Sequence, residues 1–223
     1  MPMRSTLYET KEAFSGGIYS GWIAWNLFLA FIPLALSFWL FRRKSNYRSY
    51  VWWIVFAVYF AFLPNAPYLL TDIIHLIRGI REGFSAWVIT LIFIPLHLFA
   101  IIAGTEAYVV SLINQGNYLK RQLSEKWVVW SELATHALCA VGIYMGRFQR
   151  FNSWDLVTDP DNVLLTTIND LTSKRPLLVM FITFVVLAVV YWVMKQITLG
   201  LVMRIRYLRL KRKLKTPRVA EKI

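Results

Sequence analysis

Asp72 and His75 stand three residues apart in the stretch FLPNAPYLLTDIIHLIRG, Phe62 to Gly79. At about 100° per helical residue, Tyr68, Thr71, Asp72 and His75 fall on one face, and Leu69, Leu70, Ile73, Ile74 and Ile77 cover the remainder. A carboxylate and an imidazole at this spacing can exchange a proton with a bound molecule or offer two ligands to a metal. No third His, Cys or Glu follows at a diagnostic local spacing, so no metal site is assigned and the cofactor is left undefined. The bland alternative is a short interfacial helix whose polar face meets water.

A second polar segment, GRFQRFNSWDLVTDPDN, runs from Gly146 to Asn162. Arg147 can hold a phosphate or carboxylate by bidentate hydrogen bonds. Asn152 and Asp155 have the spacing of a capping box, and Asp159 with Pro160 starts a helix that places Leu164, Ile168 and Leu171 on one side. Arg147 and Arg150 also sit among Phe148, Phe151 and Trp154, a mixture suited to an aromatic belt at headgroup depth. Further upstream, Glu132, His136 and Cys139 share a helical face inside an apolar run, where ionisable groups often mark a pathway. Cys139 reads as packing. His97 and Glu106 lie on opposite faces of one helix, and His97 reads as a core histidine.

These residues must be carried by long apolar elements. Hydrophobic side chains make up 57% of the 223 residues and mean hydropathy is positive, too apolar for a soluble domain to cover its own surface. A span of ~30 Å of hydrocarbon takes about 20 residues. Five segments qualify: Ile18 to Phe41, a second from Val51 into the Phe62 stretch, a third from about Ser85 to about Asn114, Trp127 to about Gly146, and Pro176 to Met203. Lys195 is near enough to the far end of the fifth to snorkel.

Proline at 64 and at 67 removes two backbone donors and disfavours helical dihedrals at Leu63 and Ala66, so the second helix is expected to break there. Asn65 or Ala66 would cap a short new helix, Pro67 to about Ile77. The expected fold is therefore all-α: a polytopic membrane protein of about five transmembrane helices, the second broken at Pro-Asn-Ala-Pro, with short interfacial helices. Residues 1–203 read as one transmembrane domain and 204–223 as a basic cytoplasmic tail.

The formal net charge is +13, with the basic residues gathered at the ends of apolar runs and in the tail. That distribution suits the bilayer and its anionic headgroups and argues against a nucleic-acid groove; it names no protein partner. Sixteen Lys and Arg fall on the side that holds Arg42, Lys120 and the tail, and eight on the other. The bias places the N-terminus outside and the C-terminus in the cytoplasm, with both polar segments on the outer side.

FLPNAPYLLTDIIH and GIYMGRFQRFNSWD, together with WNLFLAFIPL in the first span, resemble the bacterial membrane-protein family known as domain of unknown function 1361. The resemblance implies a short polytopic protein of a bacterial cell membrane, covers nearly the whole chain, and supplies no reaction. It singles out Asn65, Pro67, Tyr68, Thr71, Asp72 and His75, then Gly146, Arg147, Asn152, Trp154 and Asp155.

Three functions compete. In the first, an outward-facing site built from Asn65, Tyr68, Thr71, Asp72, His75, Arg147, Asn152 and Asp155 binds or processes an anionic or polar envelope component. The second is a small secondary or proton-coupled transporter using Glu132 and His136 as an alternative pathway. The third is a non-catalytic scaffold or accessory subunit. No nucleophile motif or Gly-rich phosphate loop decides for an enzyme.

Overall fold

The computed structural model describes residues 22–43, 48–81 and 83–215; the sequence readings at Ile18 to Gly21, at Lys44 and beyond Lys215 lie outside them. All regular structure among the described residues is helical. Helix α1 is Trp22–Phe41 and α2 is Tyr50–Phe62. The second element continues as α3, Asn65–Tyr68, a 3-10 turn Leu69–Asp72, and α4, Ile73–Arg81. After α5, Ala86–Val88, and a π turn Ile89–Phe93 comes α6, Ile94–Gln122. Helix α7, Glu125–Tyr144, ends in a π turn Met145–Gln149. Two short helices, α8 (Asp155–Thr158) and α9 (Pro160–Thr172), lead to α10, Lys174–Lys215.

Five stretches are long and apolar enough to cross a membrane: Ile23–Phe41, Tyr50–Ile77, Ala86–Gln122, Glu125–Gln149 and Lys174–Arg212. The third runs past the expected end at Asn114. At 42 residues, α10 is roughly 60 Å long and crosses position 203 without interruption.

Helix α6 is the centre of the bundle, packed against α1, the broken segment, α7 and α10. Its contact face includes Ala100, Gly104, Ala107, Ser111 and Gly116 beside larger Tyr108 and Leu112. Small residues let helix backbones approach closely, and in lipid that packing replaces a hydrophobic drive between helices. Cys139 is fully buried within this core, and His97 is buried with Nδ1 2.7 Å from the Phe93 carbonyl oxygen.

The break differs from its sequence expectation. Leu63 stays helical (φ −56°, ψ −38°), as does Pro64 (φ −59°, ψ −24°), and Ala66 lies inside α3. The reason is that the bonding lost to proline is replaced locally. Leu63 N–H keeps its bond to the Tyr59 carbonyl at 2.9 Å, whereas Ala66 N–H turns to the Leu63 carbonyl at 3.2 Å. The Asn65 side-chain amide donates to the Phe62 carbonyl at 2.9 Å. The two prolines thus tighten the helix into mixed α and 3-10 turns while keeping carbonyls occupied.

This segment is seated on glycines of two neighbours. A Cβ at Gly104 would lie 2.7 Å from the Ala66 carbonyl oxygen and closer still to Leu69, and one at Gly142 would lie 2.7 Å from the Pro64 ring. Helix α4 leaves Ile73, Ile77 and Ile80 exposed, and α9 leaves Leu164, Ile168 and Leu171 exposed, as expected for helices at an apolar boundary.

Gly104→Ala is expected to destabilise the protein by about 1–3 kcal/mol through overpacking against backbone. Gly200→Ala, with nothing within 4 Å of its added Cβ, should be neutral or stabilising by up to ~1 kcal/mol. Thermal unfolding of the two variants in one detergent checks the difference.

Candidate functional site: a carboxylate and guanidinium cluster at the helix break

The 3-10 turn Leu69–Asp72 brings Tyr68, Thr71 and Asp72 to the end of α7. Asp72 is only 3% exposed, so its carboxylate must be supplied with donors by the protein. Arg147 Nη2 donates to Oδ1 at 2.7 Å, and Asn26 Nδ2 of α1 donates to Oδ2 at 2.9 Å. Three spans therefore meet at one side chain.

Arg147 is fixed along one edge. Its Nε donates to Thr71 Oγ1 at 3.1 Å, Nη2 also donates to that oxygen, and the Thr71 hydroxyl donates to the Tyr68 carbonyl at 2.6 Å. The guanidinium carbon lies 4.4 Å from the centre of the Tyr68 ring, a cation–π contact. Gly146 leaves room for that ring, since a Cβ there would lie 3.2 Å from Tyr68 Cε2. Arg147 Nη1 has no hydrogen-bond partner among the described residues, and the side chain is 19% exposed.

The π turn Met145–Gln149 presents Arg147 at this point. Arg150 closes it in the left-handed region (φ 62°, ψ 25°), with Phe151 N–H bonded to the Met145 carbonyl at 3.2 Å. This is a left-handed helix C-cap formed without glycine. It reverses the chain so that Ser153 reaches Asn65, whose amide donates to Ser153 Oγ at 2.8 Å.

Among the residues singled out by sequence, Tyr68, Thr71, Asp72, His75 and Arg147 gather in one cluster, with His75 Nε2 4.0 Å from Asp72 Oδ1. Asn65 joins indirectly, by tying the break to the loop after Arg147. Asn152 and Asp155 stand apart: Asp155 Oδ2 accepts the Asn152 backbone N–H at 2.6 Å, the reciprocal half of a capping box. Neither is hydrogen-bonded to the cluster. The bland expectation of a polar face turned to water fails for Asp72, which is buried.

Sequence reasoning missed Asn26 and Ser153. Asn26 carried a signal, being the one amide in the apolar run from Trp22 to Phe41. Ser153 carried none.

Glu132 and His136 face α10 instead. Glu132 Oε1 accepts from Tyr191 Oη at 2.6 Å and Lys195 Nζ at 2.5 Å, while the Tyr108 hydroxyl and His136 Nδ1 share a 2.7 Å hydrogen bond. Lys195 thus pairs with a carboxylate of α7. Among the described residues no three His, Cys, Asp or Glu side chains gather where they could hold a metal.

Five apolar spans joined by polar side chains at buried positions define a polytopic α-helical membrane protein. The family model described as Protein of unknown function (DUF1361) matches residues 25–189, and the chain belongs to that family. The match takes in Asn26, the break and Arg147. Comparisons with curated proteins and with solved structures return no match.

Removing one member of a buried ion pair leaves an uncompensated charge and costs roughly 3–5 kcal/mol. Asp72→Leu and Arg147→Met should each approach that cost, and the double variant should cost less than the two together, with a coupling of ~1–3 kcal/mol. Denaturation midpoints of the four proteins of this cycle check the coupling; additive effects would show that the pair contributes little.

Proposed function

We propose that this integral membrane protein displays the Asp72–Arg147 cluster at the outer leaflet of the cell membrane, as a binding site for an anionic or polar envelope component. The observation that carries the reading is the unpartnered Nη1 edge of Arg147. A guanidinium already held by Thr71, Asp72 and Tyr68 gives up little further freedom on binding, and its planar fork matches phosphate and carboxylate oxygens. Both Asp72 oxygens already accept hydrogen bonds, so Asp72 orients Arg147. His75, 4.0 Å from Asp72 and more exposed than it, is the group placed to exchange a proton with a bound molecule.

The excess of basic residues at the other end of the bundle supports an N-terminus outside and a cytoplasmic C-terminus. The last turns of α10 then carry Arg204, Arg206, Arg209, Lys211 and Arg212 to the inner leaflet, where each base near anionic headgroups contributes about 1 kcal/mol.

A second reading, a scaffold in which the cluster only fastens helices, is favoured by the full occupancy of Asp72. Arg147→Lys separates the two, because it keeps a cation beside Asp72 and loses the fork. Under the binding reading, dioctanoyl phosphatidylglycerol raises the melting temperature of the parent more than dioctanoyl phosphatidylcholine does, and Arg147→Lys loses most of that difference. The basic tail is common to both proteins and cancels. Equal anionic stabilisation of parent and variant would leave the scaffold.

Orientation is checked by single-cysteine labelling, with buried Cys139 as a silent background. A membrane-impermeant maleimide should label Asp161→Cys in intact cells and Lys126→Cys only after permeabilisation. The reverse pattern would invert the topology.

A further inference from the structure

Hydrocarbon supplies no hydrogen bonds, so ionisable side chains within spans must find partners in the protein or in what occupies the space beside it. Glu132 and Lys195 find each other across α7 and α10, at 2.5 Å, with Tyr191 as a third member. Buried His136, one turn beyond Glu132, packs its ring against Tyr191. These side chains line a cavity of about 350 Å³ between the two helices, walled by Leu133, Ala188 and Trp192.

The bonding capacity here is only partly used. Glu132 Oε2, the Gln196 side-chain amide and His136 Nε2 have no hydrogen-bond partner among the described residues, and Lys195 adds to its bond with Glu132 only a cation–π contact, 5.1 Å from the centre of the Tyr191 ring. The Lys195 side chain is 24% exposed, so the gap is open to whatever lies beside the helices. Glu132 stands seven residues into α7, about 10 Å along its axis from Glu125.

The charges of Glu132 and Lys195 cancel, so an ion gains little here, and a plain acyl chain leaves the polar atoms bare. A hydroxyl fits both demands, since it can donate to Glu132 Oε2 and accept from Lys195 Nζ. A carbonyl or an ether only accepts. We propose that the cavity between α7 and α10 is a binding site for a neutral, hydroxyl-headed lipid, with its head at Glu132 and Lys195 and its apolar tail against Leu133 and Trp192. This site lies apart from the Asp72 cluster and is independent of that cluster's role.

Photolabelling of the full-length protein in nanodiscs with a diazirine-bearing hexadecanol tests it. Labelling should saturate, map to the peptides around Leu133 and Trp192, and be displaced by hexadecanol about tenfold or more better than by its methyl ether, which cannot donate. Ala188→Phe, which fills the cavity without touching its polar groups, should abolish the saturable part. Unsaturable labelling, or equal displacement by the ether, overturns the proposal in the unaltered protein, whether or not the variant folds. Equal labelling of a folded Ala188→Phe would also overturn it.

Discussion

A carboxylate inside a membrane-spanning segment has few places to go, and Asp72 sets the arrangement around it by needing donors from outside its own helix. Asn26 answers from α1 and Arg147 from the end of α7. Each can reach only if the broken segment sits deep between α6 and α7, and Gly104 and Gly142 make that depth possible. The tightened helix after Pro64 aims Thr71 and Asp72 at the same point. Proline break, glycine seats and ion pair are thus one construction, in which loss of any part would leave a polar group unpaired in a dry setting.

The opposite end of the bundle is fastened differently. Arg42 Nε donates to Asn114 Oδ1 at 2.9 Å, the Asn114 amide donates to Ser37 Oγ at 2.9 Å, and Arg121 donates to the Phe41 carbonyl at the end of α1. Arg48 donates to the Tyr118 hydroxyl at 2.9 Å and stacks beside Trp52. Cations at a helix C-terminus meet the negative end of its dipole, so Arg42 and Arg121 stabilise α1. Helix α10 is attached near its middle, through Glu132 with Lys195 and through Thr198, whose hydroxyl lies 2.9 Å from both Glu106 oxygens.

Local pattern carried a large part of this arrangement. Apolar run length located the five spans, and helical periodicity put Tyr68, Thr71, Asp72 and His75 on a common face. The pairing of Asp72 with Arg147 was legible because two polar segments fell at the same end of neighbouring spans. Partners with a weak signature of their own were not legible. Asn26 is a single amide in an apolar helix, Ser153 an ordinary loop serine, and Lys195 resembled a snorkelling end residue until the fold set Glu132 across from it. The helical state of Leu63 and Ala66 was misjudged because the residue before proline is disfavoured, not forbidden, in a helix. The Asn65 side chain that takes up the Phe62 carbonyl is a tertiary as well as a local device, since it also bonds Ser153. Asn152 and Asp155 shared the composition of the site and proved to serve their own turn.

The most direct test of the central claim is the contact between Asp72 and Arg147 in a bilayer. Solid-state NMR of isotope-labelled protein in lipid, by dipolar recoupling between aspartate carboxyl carbons and arginine guanidinium nitrogens, reads it without any substrate. With Arg147 Nη2 2.7 Å from Asp72 Oδ1, a strong carboxyl-to-guanidinium correlation is expected, and it should disappear in Asp72→Asn. A parent spectrum without that correlation, or one unchanged by the substitution, would contradict the account.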